Sequence, residues 1–227
     1  MPRTVNVEAH AIRREAFVDA ALRLIQTKGY EQMSVQDLLD ELDASRGAFY
    51  HYFDSKLALL EAVVDRVLET ALAAVAPVAT DSRLTAIEKL ERLFTGISGW
   101  KTERWELMLA LIEVWQSDDN AIVREKLRRS TVGALAPLLT GIIEQGRTDG
   151  LMSVESPEGA ARVVVSLMLG AQDLALELFL ARRAGTISLD AVEAGIAAYT
   201  AALERILGLS TGSLTLMDGA SLLRWFG

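Results

Sequence analysis

Apolar residues recur at spacings of three and four along nearly the whole chain, and the period-two alternation that a half-buried strand needs appears nowhere over a useful length. The pattern predicts an all-α protein of about nine helices. The first spans about residues 9–27, with Ile12, Ala16, Ala20 and Leu24 on one face and Gly29 stopping it. Ser34 caps a short second helix whose Val35, Leu38, Leu39 and Leu42 form the buried face. Ser45 restarts the chain as a third short helix through His51. Asp54 and Ser55 cap a fourth, which begins at Lys56 and carries Leu59, Leu60, Val63, Val67 and Leu68 toward Pro77.

Beyond Pro77 the same periodicity predicts helices over about 81–98, 102–117, 119–147, 157–184 and 188–207. Breaks this short favour antiparallel neighbours. Three compact helices followed by a long connector divide the chain into a small domain, residues 1–56, and a larger one, residues 57–227. The tail, residues 208–227, holds a weak apolar segment at 214–226 that either packs or frays.

With 227 residues, 51% of them hydrophobic, the chain can bury a sizeable core. It contains no cysteine, which removes disulfides and thiolate metal sites and makes a cytoplasmic setting the natural expectation. The N-terminal residues are charged throughout and do not read as a secretory signal. The longest apolar run lies between Arg162 and Asp173 and falls short of the ~20 residues a spanning helix needs, so no membrane partner is expected. The net charge of -8 matters more, because nucleic-acid binders carry basic surface somewhere. Even residues 1–56 hold seven Lys or Arg against nine Asp or Glu. Any affinity for nucleic acid must come from the placement of a short basic face.

That face has a candidate. Two short helices joined by a tight turn, from Ser34 to His51, have the dimensions of a helix-turn-helix, whose second helix presents its N-terminal residues to the major groove. Ser45, Arg46 and Gly47 lie at that helix start, where backbone amides and short side chains can approach phosphates and bases. Arg46 is the best reader among them. Phe49 and Phe53, four apart, face the core and leave Tyr50, His51 and Tyr52 pointing partly outward. Such rings can bond phosphates or touch thymine methyls, and Lys56 can clamp a phosphate near the next helix start. Taken alone, the same rings read equally as an aromatic mini-core. His51 makes a poor metal ligand, since the other histidine of the chain, His10, is far away in sequence and no carboxylate cluster accompanies either.

The string Ser34-Val35-Gln36-Asp37-Leu38, then Ala44-Ser45-Arg46-Gly47-Ala48-Phe49-Tyr50-His51-Tyr52-Phe53, then Ser55-Lys56 with Leu59-Leu60, resembles the DNA-binding signature of the tetracycline-repressor (TetR) family. The likeness covers roughly residues 11–67; beyond it only helix count, lengths and order are similar. It implies that Ser34, Ser45, Arg46, Gly47, Tyr50, His51, Tyr52 and Lys56 fall at positions that contact DNA. It further implies a homodimer on a pseudo-palindromic operator, and repression relieved by a small hydrophobic or amphipathic effector bound among helices four to eight. Two positions depart from the family pattern: Leu39 stands where a small residue is usual, and Asp43 stands for the turn glycine. Asp tolerates left-handed backbone better than most residues, so the turn survives.

In the larger domain Phe94, Trp100, Trp105, Met108, Ile112 and Trp115 concentrate bulky apolar groups that serve either as ordinary core or as the wall of an effector pocket. Gln172 and Asp173 interrupt the apolar eighth helix, where they face a ligand if buried, or solvent or a second copy if not. Gly170 on that helix, and Ala191, Ala194, Ala198, Ala201 and Ala202 on the ninth, permit close helix approach, within the chain or across the two-fold interface that the resemblance implies. Catalysis lacks parts: there is no cysteine, no glycine-rich phosphate loop, no metal cluster and no histidine in the larger domain. No enzyme, cofactor or metal is therefore expected. The rival reading is a helical carrier that binds a hydrophobic ligand without binding DNA.

Overall fold

Helix starts and stops in this chain trace to individual side chains. The computed structural model of the protein describes residues 7–227, which form ten α-helices and, among the described residues, no strand. These are α1 (Val7–Lys28), α2 (Val35–Leu42), α3 (Arg46–Tyr52), α4 (Lys56–Thr80), α5 (Ala86–Glu103), α6 (Trp105–Gln116), α7 (Ala121–Thr148), α8 (Pro157–Arg183), α9 (Leu189–Leu207) and α10 (Gly219–Phe226). Ser34 and Ser45 cap α2 and α3, and the Ser55 hydroxyl accepts from the Ala58 amide at 3.0 Å at the start of α4.

Several boundaries differ from the sequence expectation. Helix α5 starts at Ala86 rather than near 81, because Thr85 and Glu88 close a reciprocal cap: the Thr85 amide and hydroxyl both donate to Glu88 Oε2 at 2.8 Å. Pro77 does not end α4, which runs three residues further, to Thr80. The tail packs. Asp218 caps α10, which lies against α5 and α8, with Trp225 Nε1 donating to Thr102 Oγ1 at 2.9 Å.

The chain forms two compact units that do not follow the 56/57 division. The first runs through Leu68 and also takes in Arg104–Leu127. Its core joins Phe17, Ile25, Met33, Leu38, Leu39, Phe49, Phe53 and Leu59 to Val114 and Val123, with α6 packed against α1. Helix α6 thus belongs to the core of the N-terminal helices. Arg124 holds its end by donating to the carbonyls of Trp115 (2.9 Å) and Ser117 (2.6 Å). Ile12, expected on the buried face of α1, is 65% exposed, while Ala20 of that face is fully buried and Leu24 packs on the core; the buried stripe also takes in Phe17, Val18, Ala21 and Ile25.

The second unit comprises Glu69–Glu103 and Arg128–Gly227. Its core draws Leu90, Leu93 and Phe94 from α5, Leu139, Ile142 and Ile143 from α7, Val164 and Val165 from α8, and Leu203 and Leu207 from α9. Helix α8 packs along α9. By length and composition α8 is also apolar enough to cross a membrane, although the longest uninterrupted apolar run is short, because Asp173 and Glu177 break the run without removing its hydropathy. Only 17% of that apolar window is fully buried within the chain; Leu167, Met168 and Leu169 are half-buried against the core, and Val163 and Leu180 are exposed.

Gly208 ends α9 in the left-handed region (φ 67°), and a Cβ there would come within 2.9 Å of the Ser153 backbone, whose amide donates to Leu207 O at 3.1 Å. Gly208→Ala is therefore expected to cost more than about 2 kcal/mol, combining left-handed strain with a backbone clash. The measurement is the urea midpoint of the variant against wild type at matched protein concentration; an unchanged midpoint would contradict this account.

Candidate nucleic-acid interface

A seven-residue helix has no stability of its own, so the position of α3 is set by what it packs on. Phe49 is fully buried and Phe53 nearly so, and both meet Phe17 of α1 edge-on, at ring-centroid distances of 5.7 and 6.3 Å. The turn before α3 closes on Asp43, which adopts left-handed backbone (φ 46°, ψ 50°), while the Ala44 amide donates to Leu39 O at 2.9 Å. An aspartate thus does the work of the usual turn glycine, and Leu39 is absorbed into the core of the unit.

With the phenylalanines turned inward, Ser45, Arg46, Gly47, Tyr50 and His51 are exposed together on the first two turns of α3. The Ser45 hydroxyl accepts from the Ala48 amide at 3.2 Å and keeps its own proton to donate. Arg46 makes no hydrogen bond or ion pair among the described residues. Other basic residues of the unit are engaged: Arg23 with Glu41 at 2.7 Å, Lys28 with Asp37 at 2.7 Å, and Arg66 with Glu15 and Asp19. Glu41, Asp37, Glu15 and Asp19 are thus paired with cations, and Arg46 stands at the helix start with its guanidinium available. Arg13, on α1, is likewise exposed.

Three of the sequence-selected residues have more structural duty than expected. Ser34 donates its hydroxyl to Asp37 Oδ2 at 2.7 Å and accepts from the Asp37 amide, so its proton is committed to the cap of α2. Hydrogen bonds from Lys28 and Ser34 hold the Asp37 carboxyl well below the usual carboxylate range. Lys56 donates to Glu31 O at 3.3 Å and stands 4.2 Å over the Tyr30 ring, which pins the start of α4 to the turn after α1. Burial draws the Lys56 ammonium down, and burial followed by the nearby Glu31 charge pushes the Tyr30 hydroxyl up to about 12. Tyr52 is half-buried, its ring packed between α1 and α3.

His10 was missed as a member of this site. Its ring lies 5.3 Å from His51 and 4.6 Å from Tyr52, centroid to centroid, so α1 brings together two histidines that are remote in sequence. No spacing signal could have found this, because the contact depends on how α1 crosses α3. Among the described residues no group of three potential metal ligands forms around the pair.

The effector-pocket candidates are divided between the two units. Phe94 and Trp100 are buried in the second unit, while Trp105, Met108, Ile112 and Trp115 lie half-buried on α6 in the first. Gln172 and Asp173 are exposed on α8 and so are no part of a buried polar cluster. Among the interface candidates, a Cβ on Gly170 would lie 3.3 Å from Tyr199 Oη, so that notch is used by α9 of the same chain. Ala191, Ala194 and Ala198 are exposed along one stripe of α9, with Ala201 and Ala202 half-buried beyond them.

A buried aromatic anchor beneath a short helix whose exposed start carries Ser, Arg and Gly is the architecture of a helix-turn-helix nucleic-acid-binding head. Residues 17–63 match the model of the family described as bacterial regulatory proteins, tetR family. Over 52 residues the chain is 44% identical to an HTH-type transcriptional regulator from the lacX 3′ region of Lactococcus lactis subsp. lactis, a match covering 23% of this chain and 26% of the relative. Over 59 residues it is 39% identical to the HTH-type transcriptional regulator EthR of Mycolicibacterium smegmatis, covering 26% and 27%. The chain thus spans about a quarter of the length of such relatives. The fold extends further: a TetR transcription regulator from Haloarcula marismortui superposes with TM-score 0.62 at 22% identity, covering 87% of this chain and 97% of that one. SmeT in complex with triclosan superposes with TM-score 0.59 at 20% identity, covering 91% and 98%.

Gly47 separates fold from recognition. A Cβ there would meet nothing closer than Ser45 Oγ at 3.9 Å, so the chain itself has no need of a glycine. Gly47→Ala is expected to leave stability equal or raise it by up to about 1 kcal/mol, while weakening duplex binding by about tenfold or more through loss of backbone approach. Thermal denaturation and fluorescence anisotropy on the same preparations separate the two effects; undiminished DNA affinity would remove Gly47 from the interface.

Proposed function

We propose that the protein is a dimeric, sequence-specific transcription regulator whose affinity for a pseudo-palindromic operator is lowered by a small hydrophobic or amphipathic effector, so that it acts as a repressor. The observation that carries this reading is the exposed start of α3, where Ser45, Arg46, Gly47, Tyr50 and His51 converge above a rigid phenylalanine core and Arg46 is uncommitted. Arg46 reads a guanine edge or a phosphate, Ser45 and Tyr50 bond phosphates, and the amides at the head of α3 favour an anion. Ser34, Tyr52 and Lys56 hold these groups in register, and Tyr52 and Lys56 also reach the backbone of the duplex.

Dimerisation is supported by exposed apolar side chains of α8, Val163 and Leu180, and by the exposed alanine stripe of α9. A second copy satisfies both surfaces, and a two-fold axis places two heads on half-sites of a palindrome. Lipid is the poorer cover, because Gln172, Asp173 and Glu177 stand exposed on α8, where a bilayer would penalise them. Effector control is supported by the covalent layout. The chain passes between the two units three times, at residues 68–69, 103–104 and 127–128, and the first and last of these passages lie inside α4 and α7. An effector that favours one conformation of the second unit changes operator affinity by its coupling free energy, typically about 5- to 150-fold. SmeT, of the same fold, binds triclosan.

Selection of bound duplexes from a random pool is expected to enrich a pseudo-palindrome bound by two copies, with Arg46→Ala lowering affinity by about 1–3 kcal/mol. Failure of the folded wild type to enrich any sequence would favour a carrier that binds no DNA. Independently, light scattering without detergent is expected to give a dimer, and Ala194→Arg, which sets a large charge on the α9 stripe, to give a monomer with operator affinity reduced at least about tenfold. A monomeric wild type would overturn the interface assignment.

A further inference from the structure

Helix α5 buries Leu90 and Phe94 and half-buries Ile97, at spacings of four and three, and the next residue on that stripe is Lys101, itself half-buried. Lys101 has no hydrogen bond or ion pair among the described residues, and burial pushes its ammonium down to about 8, which leaves it mostly charged at neutral pH. One turn back, Ser98 is 9% exposed and its hydroxyl is buried without a partner. Side chains three apart on a helix are neighbours, so the two unmet polar groups lie together. The same helix shows the ordinary solution for a buried lysine: Lys89 donates to Gln145 Oε1 at 2.7 Å. Thr102, adjacent in sequence, is also satisfied, donating to Ser98 O and accepting from Trp225. Lys101 and Ser98 therefore stand apart from the polar groups around them. A partly desolvated charge without a partner carries a cost, and a methionine or leucine would fill the same register without it.

We infer that Lys101 and Ser98 recognise the acidic head of an amphipathic organic anion, a carboxylate on an apolar body, and that this anion is the class of effector the protein senses. The inference rests on the effector-responsive reading above and specifies its ligand chemistry. A carboxylate accepts from the ammonium through one oxygen and from the Ser98 hydroxyl through the other, satisfying both groups in charge-assisted hydrogen bonds. A neutral acceptor leaves the ammonium charge uncompensated. An apolar body is required because the remainder of the α5 stripe, Leu90, Leu93, Phe94 and Ile97, offers no further polar partner.

The test is calorimetric titration of the full-length protein with straight-chain carboxylates from hexanoate to tetradecanoate and with the matching primary alcohols. At least one carboxylate is expected to bind at least about tenfold tighter than its alcohol. Lys101→Met is expected to abolish that preference and to raise the melting temperature of the free protein, which also shows that the variant folds. Lys101→Arg is expected to keep the preference, and Ser98→Ala to weaken carboxylate binding about three- to tenfold. Equal binding of acids and alcohols by wild type, or a preference that survives Lys101→Met, overturns the inference. Operator release by neutral compounds with no binding of any carboxylate also overturns it, while the regulator reading stands. Absence of operator binding altogether removes both.

Discussion

The packing of Phe49 and Phe53 on Phe17 is the contact on which the rest of the head depends. Helices α2 and α3, of eight and seven residues, are each too short to persist alone, and their caps contribute only about 1 kcal/mol apiece. Burial of a phenylalanine side chain contributes about 1.5–3 kcal/mol, so the aromatic cluster outweighs the local devices. It also fixes rotation. Because Phe49 and Phe53 must face α1, the residues between and before them face outward, and the identity of the reading surface follows from the identity of the core. Recognition and folding are opposite sides of one seven-residue helix.

The proposed DNA binding by an acidic protein requires that negative charge be kept from the duplex, and internal pairing in the head does part of this. Glu41, Asp37, Glu15 and Asp19 are engaged with Arg23, Lys28 and Arg66. Exposed pairs of this kind add little stability. Their effect is electrostatic: they cancel charge in place and leave Arg46 as a local excess at a helix start that already favours anions. Such an arrangement confers little non-specific affinity, since that scales with the number of phosphates neutralised. Discrimination then depends on a few placed groups.

The head was legible because its signals are local: Ser34 and Ser45 are caps, Phe49 and Phe53 are four apart, and the family signature lies within one continuous stretch. Positions set by how helices cross were not legible. His10 meets His51 and Tyr52 only because of the path of α1, and Ile12 fits an apolar period yet faces solvent. Helix α6 resembles any apolar helix in sequence, and its place in the core of the first unit comes from Val114 and Val123 finding the packed phenylalanines and leucines there. The Thr85–Glu88 cap was within reach, as a threonine followed three residues later by a glutamate, but periodicity alone placed the helix start too early. Lys101 was equally within reach, since it falls in register with Leu90, Phe94 and Ile97.

The two unmet groups on α5 and the three passages of the chain bear on the same question, how a small ligand could move a DNA-binding head. A ligand that fits a relaxed, well-paired site has no reason to prefer one conformation over another, and without a difference in affinity it shifts nothing. A site that holds an unpaired ammonium is different, because the free protein carries a cost that the ligand removes in whichever conformation brings the two together. Lys101 lies two residues from the end of the second unit on α5, and α6, which follows immediately, contributes Val114 to the core that anchors α1. The α5 terminus is thus joined by the covalent chain to a helix that shares its core with Phe17. Because that core also sets the rotation of α3, a charge satisfied at Lys101 has a short covalent route to the helix proposed to read the operator.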